Sequence, residues 1–212
     1  MDKLSLELQS RKKWTTFGTT RVKPVQETLR EIYPIVTKIG VTRLADITEM
    51  DILRVPNYSA VLPGTDDYIW VYSGKGPTRD HARASALMES IERYCALPSG
   101  SPRNMIQGCY KDLSKVYKIL HPRSVVEPMI YDYNEEMIMD FLFGFDLVTD
   151  DTLLVPAPIA LFRYAAMPPA VNPFAFHHTN GLASGNVMEE AVCHSLCEVI
   201  ERDAISLAQL KA

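Results

Sequence analysis

A segment in the middle of the chain is repeated near its end, and this repeat constrains the fold more than any other feature. The first copy runs from Gly76 to Arg93 and the second from Gly185 to Arg202, at a constant offset of 109 residues (185 − 76 = 109). Gly, Ala, Leu, Glu, Ile, Glu and Arg fall in register, and both copies end in Glu-x-Ile-Glu-Arg. Apolar residues recur in each copy with a helical period, so the repeat predicts two matched amphipathic helices that carry matched acids.

Each predicted helix has one acidic face. In the first copy Glu89 and Glu92 lie on the same stripe as His81 and Ser85, because residues three and four positions apart are neighbours on a helix. The acidic stripe of the second copy consists of Glu190, His194, Glu198 and Glu201. It lies opposite an apolar face formed by Val192, Leu196, Val199 and Ile200. Gly76-Pro77 and Gly185-Asn186 are typical of helix starts, with Asn186 as the expected cap.

An acidic face on one helix is usually solvated, and ion pairs with Arg93 and Arg202 offer a second explanation, although neighbouring residues do not face each other on a helix. Because the face is repeated, we favour the interpretation that the two stripes converge. Like charges about 4 Å apart repel by about 1 kcal/mol in water and about 4 kcal/mol at an effective dielectric near 20. A carboxylate cluster therefore calls for cations or for raised pKa values.

Carboxylate oxygens are hard ligands, which favour Mg²⁺, Ca²⁺ or Mn²⁺ over zinc. We expect Mg²⁺, shared with the phosphates of a nucleotide. A di-iron carboxylate bundle is the competing metal site, but its Glu-x-x-His motif is absent because an arginine follows each acid pair. Lys75 lies in Gly74-Lys75-Gly76, which is not a Walker motif, and is interpreted equally as a phosphate contact or as a surface residue.

These motifs resemble the YcaO family. The segments that carry the resemblance are Ser73-Gly74-Lys75-Gly76 before residues 85–94, Asn180-Gly181-Leu182-Ala183-Ser184-Gly185-Asn186 before residues 198–203, Gly18-Thr19-Thr20-Arg21 with Thr28, and Gly40-Val41-Thr42-Arg43. The resemblance implies a mixed α/β fold, namely the N-terminal part of a YcaO domain with a duplicated strand-helix unit. It also implies ATP and Mg²⁺ as cofactors. The Mg²⁺ ligands would be Glu89, Glu92, Glu198 and Glu201. Contacts with ATP or its metal shell would come from Arg21, Thr28, Asn186, Glu190 and Arg202. No catalytic residue is assigned.

The activity implied by the resemblance is that of a YcaO-type ATP-dependent cyclodehydratase or thioamidation enzyme. The oxygen of a peptide backbone amide attacks the γ-phosphate, and a nucleophile then adds to the activated carbon. The opening of the chain resembles archaeal-type standalone members, which are linked to thioamidation with a TfuA partner. This favours thioamide (thioglycine) formation over azoline formation. The sequence does not decide whether the nucleophile is sulfide, a side chain or an amine.

A complete YcaO domain continues well past its second acidic helix, whereas this chain ends at Ala212. We therefore expect a truncated member or one half of a split protein. The alternative function is that of a non-catalytic nucleotide-binding fragment or a peptide-recognition scaffold, completed by another polypeptide. Expected partners are a peptide or protein substrate, a TfuA-like protein, a sulfide donor, and either a second copy in a homodimer or a C-terminal half.

The composition is that of an ordinary globular protein, with 47% hydrophobic residues, 23% charged residues and a net charge of −4. Neither a nucleic-acid partner nor a membrane segment is expected, and a cytoplasmic location is predicted. The four cysteines are interpreted as free thiols. Cys193 and Cys197 are expected to be buried small hydrophobic residues rather than metal ligands.

The sequence also predicts further helices and strands and the division of the chain into domains. Residues 24–38 form a helix that Pro34 interrupts or kinks. Residues 68–72 form a strand before the first acidic helix, and residues 139–147 and 153–161 pair as strands, with Pro156 and Pro158 favouring an edge. Residues 1–13 form a polar tail, and residues 14–212 form one YcaO-type unit with a subdomain boundary expected near 98–102.

Overall fold

The computed structural model of this chain describes residues 6–14, 21–50, 52–64, 68–98, 105–125, 133–174 and 179–211. In chain order the elements are α1 (Val25–Lys38), β1 (Arg43–Asp46), β2 (Asn57–Pro63), β3 (Ile69–Lys75), α2 (Arg79–Cys95), β4 (Met105–Cys109), α3 (Tyr110–Leu113), β5 (Ile138–Asp146), β6 (Asp151–Pro156), α4 (Ala157–Ala160) and α5 (Met188–Lys211), with single 3-10 turns at Thr48–Met50 and Pro122–Ser124.

The chain divides into two compact units. One comprises Met1–Glu7 and Ala96–Thr179, here called the central unit. The other comprises Leu8–Cys95 and Asn180–Ala212 and is called the acidic-helix unit, because it contains both copies of the repeat. Of the predicted boundary near 98–102, residues 99–102 lie outside the described residues.

The acidic-helix unit is built on an antiparallel sheet in the order β1-β2-β3. Val61 on β2 pairs with Val71 on β3 and with Arg43 on β1. Helix α1 places Leu29, Ile32 and Val36 on one buried face, as its helical spacing predicts. The helix continues past Pro34 to Lys38, so the proline does not interrupt it.

Helix α2 packs very closely on β3, because small residues line the contact. A Cβ atom added to Gly74 would lie 2.0 Å from the backbone nitrogen of Ala86 and 2.4 Å from the carbonyl oxygen of Ala82. Both alanines are fully buried. The helix begins at Arg79, two residues later than Pro77, where we expected it, and the Thr78 hydroxyl accepts the His81 backbone N–H.

The central unit contains a second antiparallel sheet in the order β4-β5-β6, with a core that includes Met139, Phe141 and Leu154. Strand β6 lies at one end of this order, as expected for a strand with prolines. The strand stops at Pro156 rather than continuing to Leu161, because the chain turns into α4, which accommodates Pro158 in its first turn.

The mixed α/β fold class is confirmed by two small antiparallel sheets with accompanying helices. Both copies of the repeat are helical, in α2 and α5. Strand β3 leads into α2, whereas residues 179–187, directly before α5, contain no strand. No helix in the described ranges is long and apolar enough to cross a membrane.

Candidate functional site

A cavity of about 550 Å³ lies within the acidic-helix unit, a size typical of small-molecule sites. Its walls come from the residues before and at the start of α1, the β3–α2 turn, α2, the segment before α5 and α5 itself. Eight of the nine predicted site residues line it, namely Arg21, Thr28, Glu89, Glu92, Asn186, Glu190, Glu198 and Arg202. The ninth, Glu201, is exposed and is not among the lining residues. The two acidic helices therefore do face a common cavity.

Glu92 shows that the acids of the two helices influence each other. Burial raises its pKa from 4.5 to about 7. The Arg93 guanidinium opposes this rise in pKa, the negative charges of Glu89 and Glu198 add to it, and a hydrogen bond with Ser184 lowers the pKa. The Glu92 carboxyl is therefore only partly ionised at neutral pH, chiefly because burial disfavours its charged form and to a smaller extent because other acids lie nearby.

Arginines hold the clustered carboxylates. Arg93 lies 3.3 Å from Glu89 and 3.4 Å from Glu92, and Arg202 Nε lies 2.8 Å from Glu198 Oε1. The pair of Glu92 with its sequence neighbour Arg93 was not expected from helical spacing, and it forms because the long guanidinium side chain reaches both acids. Within the described ranges, no three Asp, Glu, His or Cys side chains are grouped closely enough to hold a metal ion.

The donor set nevertheless fits Mg²⁺ in kind. Glu89 and Glu92 on α2 and Glu198 on α5 bring hard oxygen ligands to the same cavity, and Mg²⁺ takes one or two protein carboxylates and completes its shell with water and phosphate oxygens. Burial is the main cause of the raised pKa of Glu92, with smaller contributions from Glu89 and Glu198, and a divalent cation bound there would favour the ionised carboxylate.

A hydrogen-bonded network joins the other predicted residues. Glu190 Oε2 accepts the backbone N–H of Asn186 at 2.8 Å and its side-chain amide at 3.0 Å, and Arg21 Nη1 lies 3.7 Å from the same oxygen. Glu190 Oε1 accepts the Val22 N–H, and the Thr28 hydroxyl donates to Asn186 Oδ1 at 2.8 Å. Asn186 lies two residues before α5, and its side chain is engaged by Thr28 and Glu190. Gly18, Thr19 and Thr20, part of the motif around Arg21, lie outside the described residues.

Other polar residues line the cavity as well. They are Lys23, Lys75, His81, Ser85, Arg93, Ser184 and His194. Sequence reasoning missed Lys23, which lies two residues after Arg21, and it included Ser184 in the motif before α5 without assigning it a role in the site. The Thr78 hydroxyl oxygen lies 2.8 Å from His81 Nδ1, whereas the buried Nε2 has no hydrogen-bond partner among the described residues.

All four cysteines are free, as expected, but Cys193 and Cys197 are exposed. The prediction that both are buried is wrong, because α5, which is described over its whole length, has no buried residue.

Residues 73–212 match the family model described as YcaO cyclodehydratase, ATP- and Mg²⁺-binding. Since the match covers well over half of the chain, the chain belongs to the YcaO family. The prediction of ATP and Mg²⁺ as cofactors is confirmed by this description at the level of the family.

Similar proteins include an uncharacterised protein of Methanothermobacter thermautotrophicus, 37% identical over 191 residues, which cover 90% of this chain and 48% of the relative. Another is an uncharacterised protein encoded in the tfuA 3′ region of Rhizobium leguminosarum bv. trifolii, 30% identical, with 90% of this chain and 44% of the relative covered. The chain therefore spans less than half the length of these relatives.

Among solved structures, the chain is similar to YcaO from Methanopyrus kandleri bound with AMPPCP and Mg²⁺, with a TM-score of 0.69 and 27% identity, covering 90% of this chain and 46% of that one. It is also similar to a heterocyclase in complex with substrate and cofactor, with a TM-score of 0.68 over 91% of this chain and 28% of that one. At 20% identity, this second match supports the fold alone.

Proposed function

We propose that this chain forms the nucleotide-binding part of a YcaO enzyme that activates a peptide backbone amide by ATP-dependent O-phosphorylation. One observation carries the proposal: both acidic helices and the Arg21 and Asn186 segments line a single cavity of about 550 Å³. The Methanopyrus kandleri relative, similar over 90% of this chain, was solved with a nucleotide analogue and Mg²⁺, which supports the same ligands here.

The charges of the cavity suit a metal-bound triphosphate. Glu89, Glu92 and Glu198 supply carboxylates for Mg²⁺, and Glu201 stays a proposed ligand that would have to approach from its exposed position. Cationic lining residues complement the phosphates. They are Arg21, Lys23, Lys75, Arg93 and Arg202, and Thr28 and Asn186 add polar contacts with ATP. When bound, Mg²⁺ neutralises charge on the transferring phosphoryl group.

The role of these side chains is chiefly positioning. An amide oxygen is a weak nucleophile, so its phosphorylation depends on alignment and on electrostatic stabilisation of the phosphoryl group. Residues on α2, on α5 and before α1 contact the ligand from different sides, which restricts its orientation. Arg93 and Arg202 already hold the carboxylates in place through ion pairs.

For the reaction that follows, we favour thioamide formation over azoline formation, with sulfide as the nucleophile. The gene neighbourhood of the Rhizobium relative supports this preference, since that protein is encoded in the tfuA 3′ region. A TfuA-like protein, a sulfide donor and a peptide or protein substrate are the proposed partners, together with a second copy or a polypeptide that supplies the rest of the domain. We place the protein in the cytoplasm, where ATP is available and the four cysteines stay reduced.

Calorimetry with ATP and Mg²⁺ tests the nucleotide site. We expect Mg²⁺-dependent binding by the parent chain and a loss of roughly a hundredfold or more in affinity for Glu89→Gln with Glu198→Gln, because two charged interactions are removed. The matched control is Glu49→Gln with Glu136→Gln, which changes the net charge equally at side chains that are 68% and 70% exposed. Absence of binding by the parent, or equal affinities for the two double variants, would refute the proposal.

The chemistry is tested by incubating a peptide that contains both glycine and cysteine with the chain, ATP and sulfide and recording its mass. Exchange of oxygen for sulfur indicates thioamidation, and loss of water indicates ring formation. Binding of ATP without either change would favour the alternative function, a nucleotide-binding fragment that another polypeptide completes. The extent of the chain, 48% of its Methanothermobacter relative, is the observation that keeps this alternative.

A further inference from the structure

Strand β3 is an edge strand, and no strand among the described residues pairs with its outer side. The sheet order β1-β2-β3 places it at one end. Its register with β2 is unbroken from Ile69 to Lys75, so the strand contains no bulge over this range. It also contains no proline, and its only charged residue is Lys75, the last one.

The hydrogen-bond pattern shows which backbone groups of β3 point away from β2. The Gly76 N–H donates to the Pro56 carbonyl, and the Tyr68 carbonyl accepts the N–H of Gly64. Hydrogen-bonded pairs alternate along an antiparallel ladder, so the even-numbered residues exchange hydrogen bonds with β2. The N–H and C=O groups of the odd-numbered residues therefore point to the open edge, and no backbone hydrogen bond joins them to another described residue. These residues are Ile69, Val71, Ser73 and Lys75.

The opposite edge of the sheet, β1, is protected in ways that β3 is not. Strand β1 has only 4 residues, and it begins and ends with charged side chains, those of Arg43 and Asp46. Short, charged edges resist pairing with other chains, whereas long apolar edges favour it. On β3 the side chains of Ile69 and Val71 are 69% and 54% exposed, and Tyr68 beside them is 63% exposed. The edge of β3 is therefore suited to accept another strand.

The direction of β3 connects this edge with the cavity. Lys75, the last residue of the strand, and Gly76, which follows it, both line the cavity. A strand rises about 3.3 Å per residue, so a chain paired with β3 needs only one or two further residues to reach the cavity wall. The reaction proposed above requires a peptide backbone amide to be held there. A peptide substrate is therefore the occupant that fits both the open edge and the cavity.

We propose that β3 binds an extended segment of the peptide or protein substrate by strand addition, and so directs the adjacent backbone amide into the cavity. This inference rests on the proposed function, since it takes a peptide as the substrate. Antiparallel pairing, the more stable form, places the N-terminal end of the bound segment next to Lys75. Side chains of the segment that lie beside Ile69 and Val71 are expected to be apolar and β-branched, because such cross-strand neighbours stabilise a sheet.

The first test measures binding of a synthetic peptide to the chain by calorimetry, without ATP. The peptide has a glycine followed by alternating threonine and valine residues, and it is long enough to span β3. Two N-methylated versions are the matched controls, with methyl groups on alternate amides in one phase or the other. Because only one edge of the peptide pairs with β3, one version should bind at least about tenfold more weakly, and the other about as well as the unmethylated peptide. Equal affinities for the two versions, or no binding of the unmethylated peptide at about 1 mM, would overturn the proposal.

The second test changes the edge of the protein. Val71→Pro removes an N–H that points away from β2, and a proline is tolerated on an edge strand. Val71→Thr keeps this N–H and is the matched control. We expect Val71→Pro to bind the peptide at least about tenfold more weakly, and Val71→Thr to bind it within about twofold of the parent chain. Both variants should bind ATP with Mg²⁺ like the parent, which verifies their folding. Peptide binding by Val71→Pro at the parent affinity would refute strand addition.

A third measurement uses the parent chain and does not depend on whether a variant folds. Bound peptide should slow hydrogen exchange at the backbone amides of Val71 and Ser73, which point outwards. Exchange at Tyr72 should change much less, because its N–H is already bonded to β2. Unchanged exchange at Val71 and Ser73 with saturating peptide would place the peptide elsewhere and contradict the proposal.

The remaining outcomes identify other occupants of the edge. Slow exchange at Val71 without peptide, together with a dimeric mass in analytical ultracentrifugation, would assign the edge to a second copy. Slow exchange in the equivalent strand of the Methanothermobacter relative, of which this chain covers 48%, would assign it to the other half of the domain. Either result would overturn the proposal. Failure to bind ATP would refute the proposed function, whereas peptide binding is measured without ATP and is judged separately.

Discussion

The two copies of the repeat have similar sequences but very different surroundings. Helix α2 buries five residues, Ala82, Ala84, Ala86, Leu87 and Ser90, whereas α5 buries none. Leu87 is 1% exposed, and its counterpart Leu196 is 51% exposed. From Val199 to Lys211 every residue of α5 is exposed.

The difference arises from what each helix packs against. Helix α2 follows β3 directly, and its alanine stripe lies against Gly74, which brings the helix backbone close to the sheet. Helix α5 follows an irregular segment, and its half-buried residues all lie between Glu189 and Glu198. The repeat therefore specifies which side chains share a face, whereas the neighbouring elements decide which face is buried.

The largest expected effect tests this contrast in packing. Leu87→Ala should lower the free energy of unfolding by about 3 kcal/mol, since it removes a fully buried side chain. Leu196→Ala, at the equivalent position, should change it by no more than about 0.5 kcal/mol. Urea unfolding of both variants measures the difference. Equal losses would show that α5 is packed as tightly as α2.

The next effect concerns the equivalent acids Glu92 and Glu201. Because the folded-state pKa of Glu92 is raised to about 7, the folded chain binds more protons than the unfolded chain between pH 4.5 and about 7. The contribution of Glu92 to stability therefore declines as the pH rises through this window. Glu92→Gln should flatten that decline, and Glu201→Gln should not, because Glu201 is exposed. Free energies of unfolding between pH 5 and 8 measure this pH dependence for the two variants. Identical profiles would contradict the expected difference between Glu92 and Glu201.

The smallest effect concerns the arginines that follow the acids. The Arg93 side chain is 14% exposed and holds two glutamates, while that of Arg202 is 50% exposed and holds one. Arg93→Ala should cost about 1 kcal/mol, limited because Glu92 can take up a proton, and Arg202→Ala no more than about 0.5 kcal/mol. Thermal unfolding at low salt and without nucleotide compares the stabilities of the two variants. A larger cost for Arg202→Ala would reverse the assignment of α2 as the better-packed helix.

Much of the cavity could be predicted because its acids repeat in register. Helical spacing placed the acids of each helix on one face, the repetition of that face suggested that the two faces converge, and Glu89, Glu92 and Glu198 do line the same cavity. Glu201 has the same motif position as Glu92 but remains exposed, because motif spacing does not specify how a helix is rotated against its neighbours. The burial expected for Cys193 and Cys197 failed for the same reason.

In the central unit, too, the local sequence pattern did not fully determine the secondary structure. The strand predicted over residues 153–161 ends at Pro156, and the next four residues form α4. Short apolar segments are compatible with either state, and the packing of neighbouring elements selects between them.

The amino-acid sequence alone was enough to predict the two helices, the acids they carry and the kind of ligand that these acids suit. Helical spacing and ligand hardness depend only on short segments of the chain. Which groups meet was decided by the tertiary structure. The contact of Glu190 with Val22 and Arg21, the raised pKa of Glu92 and the exposure of α5 each depend on segments that lie far apart in the chain. Their positions follow from the summed packing of the unit, which no single segment encodes.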